Sequence, residues 1–286
     1  MSKILLTGVG GNVGQYLGND LAWVGHDVIG LYRNSMPENA DYKLIKADVS
    51  EPLGGIEGVD VVIHSAASIL GDTRTLIRDN IEATKNLVCW AERTGVRKFV
   101  YMSSVAAYGR VEGELSETSD IRNLTPYGMT KHIGEAIIRE SDIPEKLIVQ
   151  LPKMIGPYVH MDNTTGSGFL TMTKKILMGE IVICFIPEMK YNNYLHVSEL
   201  GAFFKYLLGK DEWAEHKTVL LGAQERLTMM EILQIMRDAI HSKSEIIAQS
   251  NGTTPEISLI DISRAKELGF APCDAKDMLK RFIKEI

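Results

Sequence analysis

Thr7-Gly8-Val9-Gly10-Gly11-Asn12-Val13-Gly14 follows the apolar run Ile4-Leu5-Leu6 and leads into a helical pattern with apolar positions at Val13, Leu17, Leu21 and Val24. A strand, a glycine turn and an amphipathic helix in that order read as the first βα unit of a dinucleotide-binding domain. The register decides how the turn works. A G-x-G-x-x-G reading from Gly8 needs glycine at 13, where Val13 stands, so the fitting spacing is Gly8-x-x-Gly11-x-x-Gly14. Gly8 allows the tight turn, Gly11 lets backbone approach a pyrophosphate, and Gly14 lets helix and strand pack closely. Asn12 and Val13, between the last two, join them as expected cofactor-binding residues.

Working outward, apolar runs at 3–6, 27–31, 42–46, 59–64, 98–102 and 147–151 read as strands. The first helix stops at Gly25, a second over 73–94 stops at Gly95, and a third starts at Thr125-Pro126, a cap followed by proline at the first helical position. Strands alternating with helices predict an α/β fold of the Rossmann type, with a doubly wound parallel sheet covered on both faces. After Gly156-Pro157 the texture is less regular, with helices expected at 169–178, 198–208, 228–240, 263–268 and 274–284. The expected division is a dinucleotide-binding domain over 1–155 and a smaller C-terminal substrate-binding lobe over 156–286, with about 195–222 returning to the first domain.

The 286-residue chain is 45% hydrophobic and 24% charged, ordinary for a globular protein, and its net charge of −6 comes with no basic run. That argues against nucleic acid or an anionic membrane surface as partner. Cys89, Cys184 and Cys273 are far apart and form no C-x-x-C, which suits reduced thiols and no zinc site. The N-terminal apolar run is too short for a signal-peptide core and no stretch approaches a membrane span, so a cytoplasmic protein is expected.

The second strand ends Leu31-Tyr32-Arg33-Asn34, with no acid between Asp27 and Glu38. An acid there would grip the ribose 2′-hydroxyl of NAD, whereas arginine suits a 2′-phosphate. Arg33 therefore favours NADP(H), with NAD(H) left open.

In the third helix, Tyr127 and Lys131 stand at i and i+4 on one face. A phenol, with an ordinary pKa near ~10, is a poor proton carrier at neutral pH. An ammonium one turn away favours the phenolate and draws that value down. The Ser104 hydroxyl is suited to hold the oxygen whose proton the tyrosine exchanges. His64 and His196 each end an apolar run without a second ligand at metal spacing, so both read as packed, hydrogen-bonded histidines.

Taken together, these residues resemble the extended short-chain dehydrogenase/reductase family, in particular its NAD-dependent epimerase/dehydratase branch. The turn resembles the family's T-G-x-x-G-x-x-G. Asp48-Val49 is similar to the pair that holds the adenine, His64-Ser65-Ala66-Ala67 to the wall beside the adenosine ribose, and Asn80 to the family's helix asparagine. Ser103-Ser104-Val105-Ala106-Ala107-Tyr108-Gly109 resembles S-S-x-x-x-Y-G, and alignment on Tyr108-Gly109 gives Ser104 the catalytic serine's place. Gly156-Pro157, His196-Val197 and Asp261-Ile262-Ser263 look like later signatures of the branch.

The resemblance implies Tyr127 as general acid or base, Lys131 on the nicotinamide-ribose hydroxyls, Ser104 on the reacting oxygen and Asn80 as a further catalytic residue. Pro152 is implied beside the nicotinamide. Tyr108 and Asn163 are expected to touch substrate from their positions, and Tyr191-Asn192-Asn193-Tyr194-Leu195 to line its pocket. A homodimer packed through the Asn80 and Tyr127 helices is also implied.

Three functional readings follow. The first is an oxidoreductase that acts on a nucleotide-activated sugar, reducing a 4-keto-6-deoxy sugar with NADPH. Arg33 favours that donor, and the Ser104, Tyr127 and Lys131 set is complete. The chain also departs from the sugar-epimerase pattern at Leu151 and at Asn192-Asn193, where an arginine and an arginine-aspartate are expected. The second is a nucleotide-sugar epimerase with tightly bound NAD. The third is a non-catalytic, NADP-binding redox-sensing regulator, against which the intact proton-transfer pair stands.

Overall fold

The computed structural model describes residues 1–157, 168–210, 213, 218–250, 252 and 259–286. Its central sheet has seven parallel strands: β1 (Lys3–Thr7), β2 (Asp27–Tyr32), β3 (Lys43–Lys46), β4 (Val61–His64), β5 (Lys98–Ser104), β6 (Glu145–Leu151) and β7 (Thr218–Leu220). Their spatial order is β3-β2-β1-β4-β5-β6-β7. The order reverses between β1 and β4, and a crevice at the C-terminal ends of the strands is where such a sheet takes a nucleotide.

The apolar strands are buried because the sheet is covered on both sides. Ile4 and Leu6 pack with Leu17 and Leu21 of α1 (Asn12–Trp23), whereas Leu5 joins Leu87, Val88 and Ile138 on the other face. That alternation is the strand's period of two. On the second face lie α3 (Ala83–Thr94) and α4 (Pro126–Glu140), and α2 (Thr73–Leu76) packs against α4. Residues 73–94, expected as one regular helix, contain a π turn over Ile77–Glu82 that carries Asp79 and Asn80. Gly95 ends α3 in the left-handed region at φ 75°. Thr125 starts α4 by accepting a hydrogen bond from Gly128 N at 3.0 Å.

The C-terminal half adds α5 (Gly168–Met178), α6 (Ser198–Leu208), α7 (Met229–Ala239), α8 (Ser263–Glu267) and α9 (Ala275–Glu285). Of these, α6 packs on α1 beneath the sheet, and β7 pairs with β6. Asn192 ties the lobe together. Its amide donates to the Ala223 and Ile260 carbonyls at 3.0 and 2.9 Å and accepts from Ile260 N at 2.7 Å. Among the described residues no helix is long and apolar enough to cross a membrane, and no group of side chains is placed to hold a metal ion.

Candidate cofactor and active site

A cleft of about 320 Å³ opens at the ends of β1, β2 and β4, walled by Gly8, Gly10, Gly11, Arg33, Asp48, Val49, Ser65, Ala66, Ala67, Ser68 and Asp79. Gly8 sits at φ +76°, and a Cβ there would press into the Ser65–Ala66 backbone. A Cβ on Gly14 would collide with the Gly8 carbonyl oxygen, so helix and strand meet without a side chain between them. Gly11 differs from both. It is exposed, caps α1 with no side-chain acceptor, and has no neighbour closer to a Cβ than Gly8 O at 3.5 Å. Gly11 thus presents bare backbone at the start of α1, the end of a helix that favours an anion. Gly10, which the motif spacing passes over, has no room for a side chain either, because Ser35 O lies against it. Asn12 and Val13 form the first turn of α1 and, like Gly14, do not line this cleft.

Arg33 lines the cleft, but its guanidinium is engaged. Nη1 and Nη2 donate to Asp79 Oδ1 and Oδ2 at 2.7 and 2.9 Å, and Asp48 Oδ2 lies 3.6 Å from Nη1. Ser68 Oγ and Arg78 Nε also donate to Asp79, at 2.6 and 2.7 Å. These donors hold the Asp79 carboxyl well below the usual carboxylate range. The guanidinium expected to favour a 2′-phosphate is thus paired with a carboxylate in this structure. Sequence reading found the cation and missed the carboxylate facing it, because Asp79 arrives from a different element.

Asn80 lies outside the cleft lining. It is buried, accepts from Ser68 N at 2.7 Å, and donates to Ser68 O and Thr130 Oγ1, each at 2.9 Å. A side chain so occupied ties the loop after β4 to α4, which makes it a positioning residue.

The same seam holds His64. Thr84 Oγ1 donates to the Asn80 carbonyl at 2.7 Å and so accepts from His64 Nε2 at 3.0 Å. Nδ1 then accepts from Thr7 Oγ1 at 2.8 Å, and Thr7 Oγ1 receives Ser65 N and Ala66 N at 3.2 and 3.1 Å. Burial lowers His64 to about 3, with Lys131 pushing the same way, so the ring is a neutral brace. His196 is likewise packed, between Ser198 Oγ and Glu285 Oε2, each at 2.9 Å.

The pleat of β5 separates the two serines. Ser103 is buried and donates to Glu135 Oε1 at 2.6 Å, whereas Ser104 is half-buried and accepts from Ala106 N at 3.2 Å. Tyr127, in the first turn of α4, is pushed up to about 12 by burial, and a side-chain hydrogen bond with Ser104 works against that rise. Lys131, one turn on, is buried and donates to the Met102 carbonyl at 2.7 Å. Burial lowers it to about 7, against the pull of Glu135. The drop in the tyrosine pKa expected from Lys131 is absent here, since burial dominates the phenol and the ammonium is held by Met102 O.

The expected substrate residues fare differently. Tyr108 is buried with its hydroxyl donating to Gln150 Oε1 at 3.2 Å, and residues 191–195 are all buried. Within 191–195 the Tyr194 hydroxyl is buried with no hydrogen-bond partner. Asn163 lies outside the described residues. Pro152 follows Leu151, which pairs with Ser104 across β5 and β6. Sequence reading passed over Lys153, which is half-buried with Nζ 5.6 Å from the Phe169 ring centroid and its pKa lowered by burial.

The model of the NAD dependent epimerase/dehydratase family matches residues 4–222. The chain belongs to this family. It is therefore an enzyme of the extended short-chain dehydrogenase/reductase class. It is 26% identical to the protein called uncharacterized UDP-glucose epimerase YtcB of Bacillus subtilis, over 93% of this chain and 91% of that one. Its fold is that of the UDP-N-acetylglucosamine 4-epimerase of Methanobrevibacter ruminantium M1, solved with UDP-N-acetylmuramic acid, at TM-score 0.84 and 18% identity, covering 99% of this chain and 97% of that one. It is also that of the UDP-glucuronic acid 4-epimerase of Bacillus cereus, solved with UDP-glucuronic acid and NAD, at TM-score 0.79 and 21% identity, covering 99% and 98%.

Proposed function

We propose that this family member is a nucleotide-sugar epimerase that keeps NAD bound through its cycle and acts on a UDP-sugar. The observation that carries the reading is the placement of Ser104, at the C-terminal end of β5, beside Tyr127 in the first turn of α4, in a sheet whose switch point opens a cleft. Support comes from the relatives named above, which are called UDP-sugar epimerases, one of them solved with NAD. None of those three is a reductase of 4-keto-6-deoxy sugars, so the second reading of the sequence is preferred to the first.

The cleft fits a dinucleotide. The uncapped start of α1 and Gly11 suit the pyrophosphate, Asp48 and Val49 the adenine, and Ser65, Ala66 and Ala67 the ribose. Lys131 and Pro152 stand toward the nicotinamide end in this reading. When bound, NAD supplies the hydride acceptor and donor. Ser104 holds the reacting sugar oxygen. Tyr127 takes that oxygen's proton as the C–H bond is lost and returns it once hydrogen is regained on the opposite face. The sugar loses and regains one hydride and one proton, so nothing is oxidised overall. Lys131, which burial lowers to about 7, is the residue that would hold the nicotinamide-ribose hydroxyls.

The test pairs NAD with UDP-sugars and NADPH with 4-keto-6-deoxy nucleotide sugars, following product by NMR and the nicotinamide by absorbance. Epimer without net change in nicotinamide supports the reading. Stoichiometric NADPH consumption without epimer rejects it. We further propose a cytoplasmic homodimer through the face where Ile77, Met129 and Ile133 are exposed, with light scattering as its test.

A further inference from the structure

We propose that Asp79 selects NAD against NADP by holding the Arg33 guanidinium in a closed pair at the wall of the nucleotide cleft. The proposal rests on the dinucleotide reading of that cleft and concerns its adenosine end. NAD-binding Rossmann domains place an acid at the end of the second strand to receive the ribose 2′-hydroxyl. Here that strand ends in Tyr32 and Arg33, and the carboxylate arrives instead from the π turn before α3. Both Arg33 and Asp79 line the cleft.

The pair is bidentate, at 2.7 and 2.9 Å, the geometry in which guanidinium and carboxylate bind most specifically. Asp79 is also fixed from two further directions, by Ser68 Oγ at 2.6 Å and Arg78 Nε at 2.7 Å, and its side chain is only 4% exposed. The local charges cancel as well: Arg33 and Arg78 face Asp48 and Asp79.

A 2′-phosphate brings roughly two negative charges, as phosphate monoesters do near neutral pH. To use Arg33 it must break the bidentate pair and settle beside two carboxylates. A 2′-hydroxyl needs only an acceptor, and Asp48 and Asp79 are acceptors on this wall. Arg33 thus looks like a 2′-phosphate ligand in the sequence and acts in the fold as the partner that positions Asp79.

The experiment is equilibrium titration of the nucleotide-stripped full chain with NAD+ and, separately, NADP+, by calorimetry and by ligand-induced thermal shift. Asp79→Asn removes one charge and one arm of the pair, and should raise the NADP+ to NAD+ affinity ratio about tenfold or more. Arg33→Gln on the Asp79→Asn background should cancel that gain. Arg33→Gln alone should leave the NADP+ affinity no more reduced than that for NAD+. An unchanged ratio in folded Asp79→Asn overturns the proposal. So does a selective loss of NADP+ binding in Arg33→Gln, and this arm decides alone if Asp79→Asn does not fold. Turnover is not read, so failure of the epimerase reading leaves the test intact.

Discussion

The Lys131 ammonium lies 4.2 Å from the centroid of the Tyr101 ring, sealed between β5 and α4. It donates to the Met102 carbonyl at 2.7 Å, and burial draws its pKa down to about 7. A cation held where hydration is poor and no carboxylate touches it costs stability.

Lys131→Met should therefore abolish activity and still stabilise the protein, by about 1 kcal/mol or more at neutral pH. The sign with pH follows from linkage. The folded lysine releases its proton near 7 and the unfolded one near its ordinary value of 10.5, so the wild type gains stability as pH rises between them. The advantage of the methionine variant is fully present below pH 7 and shrinks toward pH 10.5. Denaturant melts of the two proteins across that range measure it.

His64 works in the acid range. Its folded pKa is lowered to about 3 from 6.5, so the unfolded chain binds the extra proton between those values. Stability is lost as pH falls through that window, with a slope of about 1.4 kcal/mol per pH unit near pH 5 from this one residue. His64→Gln should be less stable at pH 7, because it disturbs the Thr7 and Thr84 bonds, yet show a shallower acid slope.

Asn80 binds through three hydrogen bonds within a buried seam. Asn80→Ala should cost about 2–3 kcal/mol in denaturant melts, since Ser68 N and Ser68 O lose the side chain that satisfies them and Thr130 Oγ1 loses a donor. As a positioning residue, it should lower turnover without changing the pH profile set by Tyr127 and Lys131.

Tyr127→Phe should reduce turnover by about 10²–10⁴-fold, the range typical of a lost acid–base group. Ser104→Ala should cost about 10²-fold. Thermal melts of both should stay close to wild type, separating lost chemistry from lost fold.

Much of the fold was legible because glycines and apolar periodicity are local signals. The Gly8 and Gly14 registers follow from close approach alone, and all six expected strands occur in the parallel sheet, with β7 added at its edge. The π turn was not legible, since residues 73–94 keep helical periodicity and widening by one residue leaves no mark in composition. The site was legible where a single element carries it, as with Tyr127 and Lys131 on α4. Where two distant segments meet, sequence gave one half only. Arg33 was read without Asp79, and Asn80 without the Ser68 backbone that absorbs it. Tyr108 and residues 191–195 were placed by position along the chain alone, which does not say which way a side chain faces.

The central claim is that hydride leaves a sugar carbon and returns to it on one bound NAD. The most direct measurement uses UDP-glucose deuterated at C4 with the NAD-loaded protein, followed by NMR. The account predicts that the 4-epimer forms with deuterium retained at C4 and none passed to nicotinamide nucleotide in solution. Deuterium appearing in free nucleotide, or no epimer at all, would contradict it.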